Sequence, residues 1–332
     1  MFTLLSGRPR HCLAIGERAL VWGESSRTWR GRHRYRCLLS PTPSGIVKAS
    51  PIELNVTDRA ALEERLRSLA GPAKPFQMFG RTFLPSLPRS VTLVISDLAV
   101  RTTVIRLEQY PVKKEEQEAL IRWRLGQENQ LPLTGARLIW QVYPPRQATG
   151  GVYIVLVVVV QESILAQYES ACEAVGLLPQ EVAVASFRLF DLWLKAAGGR
   201  RRLNRDFAWV NLADEGLTCV VIHQGRPVFV RTKRLTVDEG QQDRAVSPEW
   251  IQKVVHETAV SLMACREQYP DLQVKSVVFA SDRDVLDLED TLGDELGVAT
   301  EQLQWDHLVR LGWSHQGGST SLAALPVVAG MV

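Results

Sequence analysis

Apolar positions along this chain switch between a period of two and a period near 3.6, and the switches outline most of its elements. Leu13-Ala14-Ile15-Gly16 runs into Ala19-Leu20-Val21-Trp22, and Thr28 to Leu39 then alternates, so a meander of three strands is predicted. In the third strand Trp29, His33, Tyr35 and Cys37 share one face, while Arg30, Arg32, Arg34 and Arg36 share the other. Thr57-Asp58 caps a helix whose apolar side is Leu62, Leu66 and Leu69. Val91 to Ile95 and Thr102 to Leu107 read as strands. A polar helix over about 114–130 follows, then a strand from Leu138 to Tyr143, a β-branched run from Val152 to Val160 and a helix from Ser163 to Val175. These four read as a compact helix–strand–strand–helix unit. The valine-rich run is expected to be a central strand buried on both faces.

The second half repeats the pattern. Ala208 to Leu212, Leu217 to His223 and Val228 to Lys233 predict another meander, its last two strands joined at Gly225-Arg226. Ser247-Pro248 opens a long helix with Ile251, Val254, Val255, Thr258 and Leu262 on one side. A strand from Val274 to Ala280 and a helix from about Asp284 to Leu296 come next. Two halves that each place a meander ahead of helix and strand predict a duplicated α/β architecture.

Composition excludes the extremes. The 332 residues are 45% hydrophobic and 23% charged, which fits a folded chain with a sizeable core. The net charge of +3 conceals an asymmetry. Eight of the 31 arginines fall in the first 36 residues, opposed there by Glu17 and Glu24 alone. A row of guanidinium groups suits phosphate or carboxylate, so the strip Arg30, Arg32, Arg34, Arg36 is a candidate contact for an acidic membrane or protein surface rather than for DNA. With Trp29 and Tyr35 on the opposite face, no aromatic interleaves with the arginines for stacking on bases. The plainer reading is the solvated face of an edge strand.

Five scattered cysteines without a C-x-x-C pair point to a reducing compartment and away from a disulfide framework or a zinc knuckle. The nine-residue apolar run is too short to cross a bilayer as a helix, and no signal peptide is expected. The six histidines lack metal-ligand spacing, so no metal is expected. A P-loop, a nucleophile elbow and a dinucleotide fingerprint are all missing, and Gly317-Gly318-Ser319-Thr320 reads as a flexible loop.

Several segments, in order, carry a family resemblance. They are Thr102-Thr103-Val104-Ile105-Arg106-Leu107, Ala119-Leu120-Ile121-Arg122-Trp123, Ala174-Val175-Gly176-Leu177-Leu178-Pro179 with Val182 to Leu192 as a following helix, Gly225-Arg226-Pro227-Val228-Phe229, and Ala323 to Gly330. Across roughly residues 100–330 they resemble the PilM family of type IV pilus assembly proteins. The resemblance implies an actin-like, ribonuclease H-like duplicated α/β fold of two lobes with an inserted subdomain of the FtsA type. It places the first lobe at 1–106 plus 183–200, the inserted subdomain at 107–182 and the second lobe at 203–332. It further implies a cytoplasmic protein at the inner membrane that docks the short cytoplasmic N-terminus of a bitopic PilN-like partner. Assembly-ATPase and platform components are further partners in this picture, and nucleic acid is not. Arg122 and Trp123 are candidates for lining the partner groove.

The same resemblance bears on nucleotide chemistry. Actin-like ATPases use two Asp-x-Gly turns to hold Mg²⁺ and phosphates, and a glycine-rich segment against adenosine. Here the first turn aligns with Leu13-Ala14-Ile15-Gly16, followed by Glu17-Arg18, and the second with Val210-Asn211-Leu212-Ala213. The third segment is Phe279-Ala280-Ser281-Asp282. Both aspartates and the glycine pair are replaced, which implies a pseudo-ATPase with no required cofactor. Ala14, Gly16, Asn211, Asp214, Thr218 and Ser281 outline a vestigial cleft for weak ATP or Mg²⁺ binding. An active ATPase of the same fold, drawing on Asp214 or Glu215, and a cytoplasmic GspL-like component of a type II secretion system are the alternatives.

Overall fold

A computed structural model describes residues 9–72, 76–78, 81–84, 88–127, 132–145, 151–235, 247–285 and 287–332. In chain order the first elements are β1 (His11–Ile15), β2 (Ala19–Arg27), β3 (His33–Pro41), α1 (Arg59–Ala70), a small hairpin β4 (Phe76–Met78) and β5 (Arg81–Leu84), and β6 (Arg89–Ile95). Then come β7 (Arg101–Leu107), α2 (Lys114–Gln127), β8 (Ala136–Tyr143), β9 (Tyr153–Gln161), α3 (Glu162–Glu173), β10 (Leu177–Val184), α4 (Ala185–Ala196) and α5 (Arg200–Leu203). The rest are β11 (Phe207–Ala213), β12 (Gly216–His223), β13 (Arg226–Arg234), α6 (Pro248–Gln268), β14 (Ser276–Ser281), α7 (Leu288–Leu296), β15 (Ala299–Gln302), α8 (Asp306–Arg310), β16 (Trp313–Gly318) and α9 (Leu325–Met331).

The predicted duplication is visible in the sheets. One sheet runs β10-β6-β1-β2-β3-β16 and the other β13-β12-β11-β14-β15. Each contains an antiparallel meander, β1-β2-β3 or β11-β12-β13, whose first strand carries two further strands in parallel. Parallel pairing requires a crossover, and α6 and α7 provide it in the second sheet.

Two compact units emerge. The first combines residues 1–96, 164–196 and 304–332; the second combines 97–163 and 197–303. The sequence-based boundaries are corrected by the pairing of three strands and the packing of two helices. β7 belongs with the three-stranded sheet β7-β9-β8, so the inserted segment starts before residue 107. β10 is a strand parallel to β6, where the resemblance had suggested helix from Val182. α3 joins the first unit because Gln167 Oε1 accepts the amides of Asn55 and Val56, and Asn55 Nδ2 donates to Tyr168 Oη at 3.1 Å. The C-terminal 304–332 leaves the second lobe: β16 lies parallel to β3, and α9 packs on β1, β2 and β6.

Close contacts explain two of these returns. A Cβ at Gly318 would fall 1.8 Å from the Cys37 carbonyl oxygen, so only glycine ends β16 against β3. The expected flexible loop at 317–318 is therefore strand. A Cβ at Gly23 would sit 2.1 Å from Val327 Cγ1, and one at Gly330 would sit 2.5 Å from Cys12 Sγ, so α9 lies unusually close to the sheet. The inserted sheet has its own core of Ile105, Leu107, Ile121, Leu125, Leu138, Val155, Val157 and Val159, with β9 central as expected. The polar helix over 114–130 appears as α2, its last three residues falling outside the described ones. In the second unit α6 and α7 cover the sheet through Trp250, Val254, Leu262, Leu288 and Leu292.

Candidate functional site

In the first unit, the β1–β2 turn is closed by its own bonds. Gly16 N–H donates to the Ala19 carbonyl at 3.1 Å, and Thr42 Oγ1 donates to the Gly16 carbonyl at 3.0 Å. Glu17 does not stand free in the turn: its Oε1 accepts the Ala49 amide at 2.6 Å. Ala14 is a half-buried strand residue in register with Val21 and Val94, with a methyl group where the aligned motif has a carboxylate.

The corresponding turn of the second unit, between β11 and β12, consists of Asp214 and Glu215, both at positive φ (52° and 58°). Left-handed backbone costs a non-glycine residue about 1–2 kcal/mol, so this hairpin needs support. Support comes from the loop after β14, which is parallel to β11. Asp282 Oδ2 accepts the Asp214 amide at 3.1 Å, and the Arg283 guanidinium reaches Glu215 Oε1 at 2.9 Å and Asp282 Oδ1 at 3.2 Å. Arg283 also lies 5.1 Å from the Trp250 ring centre, within cation–π range. Burial works against its positive charge, but Asp282 and Glu215 outweigh burial and raise its pKa. The result is a largely buried carboxylate–guanidinium–carboxylate clamp at the C-terminal ends of β11 and β14, where ligands bind in open α/β sheets.

Asn211, at 2% exposure, donates Nδ2 to Asp97 Oδ2 at 2.7 Å. Its cross-strand neighbour Thr218 bonds Thr232 Oγ1 at 3.1 Å. Ser281 Oγ accepts the Arg283 amide at 3.2 Å. Asn211, Asp214, Thr218 and Ser281 are thus gathered in one corner of the second unit, while Ala14 and Gly16 belong to the first. Asp97 and Arg283 escaped the sequence reading. Arg283 follows an apolar strand within Asp282-Arg283-Asp284, an alternation of charge that is its one visible signal.

Arg122 and Trp123 occupy consecutive positions on α2 and do different things. The Arg122 guanidinium pairs with Glu118 at 2.9 Å and donates to the carbonyls of Leu133 and Ala136 at 3.1 and 3.0 Å, tying helix to strand. Trp123 is 58% exposed and offers an open indole.

The arginine strip is rearranged relative to expectation. The third strand begins only at His33, because Gly31 at φ +77° turns the chain within 28–32. Thr28 N–H to the Arg32 carbonyl (2.8 Å), Gly31 N–H to the Thr28 carbonyl (2.9 Å) and Arg32 N–H to Thr28 Oγ1 (3.0 Å) hold that turn. Arg34 and Arg36 are on the strand; Arg30 and Arg32 are at its tip, and all four are exposed. Trp29 is not on the buried face but 87% exposed, with the Arg30 guanidinium 4.5 Å from its ring centre. β3 is no edge strand either, lying between β2 and β16. Tyr35 does face inward, stacked on Trp305 at 5.5 Å.

Comparison with solved structures places the whole arrangement. A chain of the PilM–PilN type IV pilus biogenesis complex matches 98% of this chain and 100% of its own length, with TM-score 0.70 and 20% identity. This likeness shows the fold, the actin-like one that the family resemblance implies. A protein of unknown function with an actin-like ATPase fold from Bacteroides thetaiotaomicron matches at TM-score 0.47 and 10% identity, over 94% of this chain and 98% of that one. The cytoplasmic domain of EpsL, an inner-membrane component of the Vibrio cholerae type II secretion system, matches at TM-score 0.46 and 9% identity, over 97% and 94%. No family model matches the sequence, and neither does any curated protein. Among the described residues no helix is long and apolar enough to cross a membrane, and no group of three His, Cys, Asp or Glu is placed to hold a metal ion.

Proposed function

We propose that this PilM-like chain is a non-enzymatic adaptor of type IV pilus assembly. In this reading it works at the cytoplasmic side of the inner membrane and docks the short cytoplasmic N-terminus of a PilN-like protein. The observation that carries the reading is the end-to-end match to a chain of the PilM–PilN complex, which covers nearly all of both chains. Trp123, an open indole beside an arginine already committed to the fold, is the residue of α2 suited to receive a peptide. Exposed tryptophans are favoured contacts because they bury much area for few torsions.

The residues do not fit Mg-ATP, and this supports the adaptor reading. Ala14 and Asn211 supply no anionic oxygen to a metal, and the Asn211 amide is already given to Asp97. Phosphates approaching the β11–β12 turn would meet Glu215, Asp282 and Asp214, and the Arg283 guanidinium there is held by two of these carboxylates. Like charges repel, so an incoming triphosphate would have to break the Arg283 pairs before gaining anything.

The test pairs two measurements on the purified chain. A synthetic peptide with the cytoplasmic N-terminal sequence of a PilN-like protein is titrated by fluorescence anisotropy, and Mg-ATP by calorimetry. Saturable peptide binding weakened at least tenfold by Trp123→Ala, with no heat from Mg-ATP, is the expected result. Micromolar Mg-ATP binding with turnover sinks the non-enzymatic reading, and absence of peptide binding sinks the adaptor.

A further inference from the structure

The β2–β3 hairpin carries a feature that peptide capture does not use. From Arg27 to Arg36 the chain holds five arginines and no acidic residue. All five are exposed, and Trp29 stands at the tip of the same hairpin with 87% of its surface open. Three hydrogen bonds across Thr28, Gly31 and Arg32 brace the tip, so the indole is presented on a structured turn. On the side away from the arginines the strand is anchored by stacking of His33 on Trp313 at 4.7 Å and of Tyr35 on Trp305. The nearest acidic residue in register is Glu24, opposite Arg36, and it accepts a bond from Trp22 Nε1.

We propose that this hairpin tip is a contact site for an anionic lipid bilayer. Guanidinium groups pair with lipid phosphates and are drawn by the negative surface potential. An indole prefers the boundary between headgroups and acyl chains, where its ring is buried and its N–H stays wet. The combination separates a bilayer from the other anionic surfaces. A duplex presents phosphates without an apolar layer for Trp29, and base stacking on that ring would displace Arg30. Neither signal alone anchors a protein firmly; a basic patch together with an apolar insertion gives reversible attachment. The site belongs to the first unit and stands whether or not a peptide docks on α2.

The 332-residue chain is sedimented with large unilamellar vesicles of phosphatidylcholine containing phosphatidylglycerol, and with vesicles of phosphatidylcholine alone. Partition onto the anionic vesicles is expected, falling steeply as salt rises from about 0.1 to 0.5 M. Joint replacement by Arg30→Gln, Arg32→Gln, Arg34→Gln and Arg36→Gln weakens it by about fivefold per arginine removed. Trp29→Ala abolishes the blue shift of tryptophan emission on vesicle addition. Both variants keep the wild-type circular dichroism and thermal midpoint, since the altered side chains are exposed. Equal partition onto neutral vesicles, or wild-type partition by the fourfold variant, overturns the proposal. So does retention on duplex DNA at a salt concentration where vesicles are not bound.

Discussion

Replacing Gly23 by alanine tests where the end of the chain belongs. The new methyl would lie 2.1 Å from Val327 Cγ1 and 3.1 Å from Met331 Cε, whereas carbon atoms rest about 3.5–4.0 Å apart. Helix α9 would have to retreat by about 1.5 Å from β2. It has little room to do so, since Leu325, Val327, Val328, Ala329 and Met331 are all buried and α4 packs against it. Overpacking of this kind costs about 1–3 kcal/mol, and the pinned helix puts Gly23→Ala at the upper end. At about 2–4 °C per kcal/mol for a unit of this size, the first transition falls by roughly 6–12 °C. Val327→Ala alone destabilises as well, by leaving a cavity. In the double variant the two changes compensate, because the methyl introduced at position 23 takes the space that Val327 gives up. Calorimetry of the four proteins should return a coupling of at least about 1 kcal/mol in the stabilising sense. Strict additivity would mean that α9 does not rest on β2, and that the return of residues 304–332 to the first sheet is wrong.

Two further results are expected from the second unit. Arg283→Ala leaves Glu215 and Asp282 facing one another without their shared cation, and costs about 2 kcal/mol after allowance for partial exposure; in a double-mutant cycle with Glu215→Ala the losses are less than additive, and full additivity in urea unfolding would dismiss the clamp. The second result concerns pH. Burial pushes Glu257 up, but Lys233 and Arg231 more than reverse this, so its folded pKa lies below the ordinary 4.5. A depressed carboxylate pKa contributes stability that is complete above about 4.5 and is lost as pH falls through the folded value. Urea midpoints should therefore decline on acidification below pH 4.5, and less so in Glu257→Gln. An identical decline in both would show that other carboxylates govern the acid limb.

Much of this fold was legible because its strands and long helices carry strong periodicity. The meander of the second half, the cap at Ser247 and the central valine strand all follow from pattern alone. What escaped was set by distant partners. β16, with sequence Trp-Ser-His-Gln-Gly-Gly, has no alternation worth reading and exists because β3, some 280 positions earlier, offers it an edge. The opposite error occurred at 28–32, where alternation of Trp29, Arg30 and Arg32 imitates a strand. The signal against it was Gly31, whose positive φ a strand does not accept. Arg122 looked available for a partner because sequence does not reveal that carbonyls eleven and fourteen residues ahead converge on it. Asp97 is likewise invisible as a partner of Asn211 until the chain folds.

The duplication gives the two turns their meaning. Equivalent sheets place the β1–β2 turn and the β11–β12 turn at equivalent positions, one beyond the first strand of each meander. In both, charged side chains turn back onto the chain itself. Glu17 takes the Ala49 amide in the first unit; Asp282 takes the Asp214 amide and Arg283 holds Glu215 in the second. Each bond satisfies a group that a phosphate ligand would otherwise recruit or repel, so the internal bonds and such a ligand compete for the same atoms. The two successive left-handed residues Asp214 and Glu215 are both held by the clamp, one through its amide and the other through its carboxylate. By contrast, Trp29 and Trp123 are indoles left exposed, among several large apolar side chains that are open to solvent.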